Sequence, residues 1–123
     1  MPLNTTTPSR LLHAKLSGSE ADLTLKGAAS SVPTGERWTA LAITVTNNDT
    51  TDRTFLLRFV PSGETAGDEH NIFPGQTGTV IAAGQTMLAT GRWTMDAGDK
   101  VRGSCSSANK VTIRIDGIIA TSA

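Results

Sequence analysis

The sequence predicts an all-β fold: an antiparallel β-sandwich of about eight strands, jelly-roll-like, preceded by an extended N-terminal arm. Three observations predict it. A turn recurs, since Val32-Pro33-Thr34-Gly35-Glu36, Ala82-Ala83-Gly84-Gln85 and Asp96-Ala97-Gly98-Asp99 each close a small or polar step with Gly beside an acid or amide. Gly supplies the positive-φ backbone that such turns between strands require. The runs beside these turns alternate apolar and polar residues, the period of a half-buried strand. No segment carries the 3.6-residue repeat of an amphipathic helix.

Taken in order, residues 1–10 are polar, with Thr5, Thr6 and Thr7 between Pro2 and Pro8. They read as an extended arm before a single domain over residues 11–123, either a frayed terminus or a segment that orders against a neighbouring subunit. Leu11 to Leu16 is a first strand, and Ser17-Gly18-Ser19 turns the chain. Ala21 to Lys26 sets Leu23 and Leu25 against Asp22, Thr24 and Lys26 and reads as a second. Arg37 to Asn47 is the clearest strand, with Leu41, Ile43 and Val45 on one face and Thr44 and Thr46 on the other. The cluster Asn47 to Asp52 turns it, because Asn and Asp side chains bond nearby backbone. Arg53 to Val60 follows, with Phe55, Leu57 and Phe59 inward, and pairs with the preceding strand as a hairpin. Pro61 to Gly78 is a long irregular loop in which only Asn71-Ile72-Phe73 suits a strand. Thr79 to Ile81, Thr86 to Met95, Lys100 to Cys105 and Val111 to Ile119 supply the remaining strands, and Gly117 marks a bulge in the last.

Composition bounds the function. The chain has 123 residues, 37% hydrophobic and 18% charged, enough for one thin core between two sheets. Eleven Lys and Arg balance eleven Asp and Glu, so the basic excess of a nucleic-acid binder is missing. A neutral chain also has little self-repulsion and tolerates close packing with its own copies. Cys105 is the single cysteine, which rules out an intrachain disulfide and suits synthesis in a reducing cytoplasm. The N-terminus lacks the pattern of a signal peptide, and every apolar run is too short to span a bilayer, so no membrane role is expected.

The residues that carry chemistry are few. His13, His70 and Cys105 are the only soft metal ligands, and no two stand at ligand spacing. Glu64, Asp68, Glu69 and His70 cluster in the long loop, but without the Asp-x-Asp spacing and rigid Gly of a calcium loop they read as a solvated contact patch. There is no Gly-x-Ser-x-Gly elbow and no phosphate-binding glycine loop, and the carboxylates lie mostly in turns. No cofactor and no enzymatic activity are expected. Trp38 and Trp93 sit near strand ends and read as core or rim packing, and Cys105 as an inert buried thiol.

The turns also occur in a telling order. Val32-Pro33-x-Gly35 leads into a long strand ending Thr46-Asn47, and a Thr54-Phe55 strand closes with Pro61-Ser62-Gly63. Ile81-Ala82-Ala83-Gly84 and Met95 to Val101 each open a hairpin, and Ser107 to Val111 leads to a strand carrying Asp116-Gly117-Ile118. Over Leu11 to Ile119 this order resembles the small β-sandwich structural proteins of tailed bacteriophages. These are capsid decoration, or cement, proteins, with related domains in tail, collar and fibre components. Gly67 to Gly75 departs from the short polar link of that pattern.

The resemblance implies a non-enzymatic virion protein, made in the host cytoplasm and placed on the capsid exterior. There a homotrimer would brace the major capsid protein. The expected contacts are Pro2, Leu3, Thr5, Thr6, Thr7 and Arg10 in the arm, and Glu64, Asp68, Glu69, His70, Asn71 and Phe73 in the loop. A collar, tail or fibre component needs the same sandwich. A carbohydrate-binding attachment module instead needs Trp38 and Trp93 exposed as a platform.

Overall fold

A computed structural model describes residues 4–73 and 78–122. The elements are β1 (Asn4–Lys15), β2 (Ala21–Asp22), β3 (Glu36–Asn47), β4 (Arg53–Val60), β5 (Thr79–Ile81), β6 (Thr86–Met95), β7 (Lys100–Cys105) and β8 (Val111–Ser122), with 3-10 turns at Lys26–Ala28 and Asp68–His70. They form two four-stranded antiparallel sheets, β1-β8-β3-β6 and β2-β7-β4-β5. The pairings β1·β8, β2·β7, β3·β6 and β4·β5 are nested, like rungs of one long hairpin whose tip is the β4–β5 loop. Rolling that ribbon brings β3 onto β8 and β4 onto β7. This winding is the jelly roll. Every connection but β4–β5 crosses from one sheet to the other.

Period-two alternation places most of the core as expected, but Leu41 falls in the β3 register shift between Ala40 and Ala42 and is half-buried, with Ala40 buried in its stead. From β8, Val111, Ile113 and Ile115 point inward with Ile43 and Val45 of β3, against Phe55, Leu57 and Val101 of the other sheet. β-branched and aromatic side chains fit this pleated, half-buried surface.

Five further expectations change. The Arg37–Asn47 and Arg53–Val60 strands are not a hairpin, because β3 and β4 lie in different sheets. The turn between them is a corner held by Asn47, whose buried amide donates to the carbonyls of Thr51 and Ile81, each at 3.0 Å, and accepts from the Asp49 N–H at 2.9 Å. The turns at Gly84 and Gly98 likewise join strands of opposite sheets rather than opening hairpins. Their positive φ of 69° and 91° provides the sharp reversal, as φ of 83° does at Gly35.

Asn4 to Arg10 does not stand off as an arm. It continues β1 and pairs with β8 from Asn4↔Ser122 to Arg10↔Asp116. The Thr run needs no apolar face there, since β8 supplies its backbone partners, and Pro8 is tolerated because β1 is an edge strand. β2 is shorter than the Ala21–Lys26 run. Leu23 and Leu25 are buried, but pairing with β7 ends at Asp22, and Leu25 instead bridges Ala29 across a tight turn in which Gly27 and Ala28 take φ of 75° and 61°.

The Gly117 bulge is real but lies in the neighbouring strands. Register shifts in β1 between Arg10 and Leu12 and in β3 between Ala40 and Ala42, both opposite the Asp116 region of β8. A Cβ on Gly117 would stand 1.9 Å from the Thr39 carbonyl oxygen, so this crease requires glycine.

Candidate functional site

The long loop runs along the edge of β4 in the second sheet, beyond the residues that β5 pairs. His70 is buried, and its Nδ1 accepts the Gly67 N–H at 3.1 Å. The proton therefore sits on Nε2, which donates to Glu64 Oε1 at 3.0 Å. Asn71 bridges to Arg58 of β4, the Ile72 N–H bonds the Leu57 carbonyl at 3.0 Å, and Phe73 packs edge-on against Phe55 with centroids 5.1 Å apart. The Asn71-Ile72-Phe73 segment thus lies along β4 through a single bridge rather than as a strand.

Arg58 is the hub that the sequence reading missed. Its Nε donates to Asn71 Oδ1 at 2.7 Å, Nη1 to Glu20 Oε1 at 2.6 Å and Nη2 to Asp68 Oδ1 at 2.8 Å. Glu20 also accepts from Arg102 Nε at 2.9 Å, Arg102 Nη1 donates to Asp22 at 2.6 Å, and Lys100 reaches Asp22 at 3.3 Å. Asp68, Arg58, Glu20, Arg102, Asp22 and Lys100 therefore alternate in sign across β4, β7 and β2. Burial pushes the Asp22 carboxyl up, but hydrogen bonds and charge from Arg102 and Lys100 outweigh it and hold it below its ordinary value. The bond to Glu20, opposed by burial and helped by Asp22, raises Arg102. The sequence cue was available, because Arg58, Lys100 and Arg102 occupy outward positions of predicted strands. Their acidic partners come from other strands, and only the winding shows that they meet.

The predicted contacts therefore divide. Glu64 and Glu69 are exposed at the loop surface, and Asp68 is exposed but tied to Arg58. His70, Asn71 and Phe73 turn inward and hold the loop. Thr5, Thr6 and Thr7 are exposed on β1, and Arg10 lies opposite Asp116. Pro2 and Leu3 lie outside the described residues. The loop and the β1 residues are not brought into one site. Trp38 is buried, with its Nε1 donating to Glu36 at 2.8 Å, and Trp93 is half-buried edge-on to Phe59. Cys105 is buried, with its thiol directed at the Ser107 and Leu16 carbonyls. Among the described residues no three His, Cys, Asp or Glu side chains gather as a metal-binding group.

The sequence matches no known family, and no curated protein matches it. Its fold does have likenesses among solved structures. A chain from Bacillus endospore appendages, described as disulfide-linked pili, aligns at TM-score 0.54 and 12% identity over 98% of this chain and 90% of its own. A chain of the T13 particle of IBDV, infectious bursal disease virus, aligns at TM-score 0.51 and 9% identity over 98% of this chain and 31% of its own. This protein thus spans about a third of that viral chain. At these identities the likeness is one of fold alone.

Proposed function

We propose that this protein is a non-enzymatic virion structural subunit, and within that class a decoration protein. It binds the outside of a capsid as a homotrimer and stabilises contacts between major capsid subunits. The observation that carries the reading is the jelly-roll winding, matched over 98% of the chain in a protein of a viral particle. The turn order that resembles phage decoration proteins points the same way. Association here is surface burial, spread over many small contacts. Glu64 and Glu69 at the loop surface and Thr5 to Thr7 on β1 are the proposed contacts, while the Arg58 network keeps the loop in shape before docking.

A filament or appendage component, such as a collar, tail or fibre subunit, is the second reading. The alignment with the pilus chain over 90% of that chain favours it. The carbohydrate-binding reading loses its platform, because Trp38 is in the core and Trp93 packs on Phe59.

Co-sedimentation with undecorated capsids, with light scattering for mass, tests the proposal. A trimer that pellets saturably with capsids is expected, and Glu69→Ala, which leaves the Glu64–His70 bond in place, should weaken binding about tenfold while circular dichroism stays unchanged. A stable monomer that remains in the supernatant contradicts it.

A further inference from the structure

Charge is balanced overall but not locally. Among the described residues every Asp and Glu except Glu69 accepts a hydrogen bond. Arg37, Arg53, Arg58, Lys100, Arg102 and Arg114 use those acids in ion pairs. Arg10, Lys15, Lys26, Arg92 and Lys110 form none among the described residues. The first three of these line one cleft of about 630 Å³, where β1 and the chain after β2 close one side of the sandwich. His13 joins them on the rim, and buried Leu12 and Leu23 seal the bottom. Asp22, also at the cleft, is already held by Arg102 and Lys100.

The cleft runs along a sheet edge. β1 has β8 on one side and no strand on the other, and among the described residues no backbone hydrogen bond reaches its outer edge between Arg10 and Lys15. A free strand edge is a template for an added strand, whose main chain supplies hydrogen bonds and whose alternate side chains supply specificity. An added strand rises about 3.3 Å per residue, as β1 does, so acids at every second position meet His13 and Lys15 in turn. A sugar would use the cations but not the backbone edge.

We infer that this cleft binds an extended acidic segment of another polypeptide, about six residues long, by strand addition to β1. The same cations set against each other would repel a second β1, so the cleft disfavours self-pairing at this edge. The inference goes beyond the capsid reading and stands apart from it, because its test uses the isolated protein and a synthetic peptide.

The test titrates ¹⁵N-labelled protein with acetyl-Glu-Val-Glu-Val-Glu-Val-amide, following amide shifts and hydrogen exchange. The expected result is saturable shifts confined to residues 10–15 and 22–27, with slowed exchange of β1 amides. Affinity should fall about tenfold with Lys15→Glu plus Lys26→Glu, and be lost for the Gln-Val peptide. Absence of shifts in the unaltered protein overturns the inference, and assigns the cations to protecting an exposed edge from aggregation. Shifts at the same residues with a sulfated hexasaccharide but not with the peptide also overturn it, in favour of an anionic glycan.

Discussion

Asn47 and Asp22 show how single polar side chains hold a sandwich whose strands are not neighbours in sequence. The Asn47 side chain is buried at the end of β3, with its amide and carbonyl both bonded to backbone. Asn47→Ala leaves two carbonyls and one N–H without that partner, and should cost about 2–3 kcal/mol. The check is a lower denaturation midpoint at unchanged slope. Asp22 sets a pH dependence. Its carboxyl is lower in the folded protein than the ordinary 3.8, so ionisation favours the native state. That contribution is full above the unfolded value and is lost as pH falls through the folded one. Asp49 acts in the same window, lowered by its hydrogen bonds from Arg53 and from the Thr50 N–H, against a small opposing effect of burial. Stability should therefore decline below about pH 4, and Asp22→Asn should flatten part of that decline in pH-resolved denaturation.

Strands were legible at the scale of the element because their inward residues repeat every second position. Val111, Ile113 and Ile115 are read correctly from alternation alone. Pairing was not legible, because alternation says which face is buried and nothing about which sheet a strand joins. Asn47 to Asp52 has the chemistry of a hairpin turn, yet the Asn47 amide uses it to turn a corner. Thr5 to Thr7 read as an unpacked arm because a strand that pairs on one side needs no apolar residues there. The loop candidates were found by composition, but Phe73 and His70 are anchors whose inward direction depends on Phe55 and Gly67. Gly117 belongs to this scale, because the crease it permits runs across β1, β8 and β3. Gly117→Ala must push the Thr39 carbonyl away from a 1.9 Å approach and should destabilise by about 2–4 kcal/mol. A loss under about 0.5 kcal/mol in denaturant unfolding would show that the crease relaxes freely.

At the scale of the molecule, the winding leaves β1 and β6 at the edges of one sheet and β2 and β5 at the edges of the other. The β1 edge carries Arg10, His13 and Lys15, whereas Arg92 is the only charged residue of β6 and Leu88 is exposed there. Sides that differ this much suit a subunit that meets unlike surfaces in an assembly. The most direct measurement is cryo-electron microscopy of undecorated capsids mixed with the purified protein. Added density is expected on the outer surface at three-fold or quasi-three-fold positions, with the 61–78 loop or the start of β1 at the contact. Bare capsids at saturating protein would contradict it.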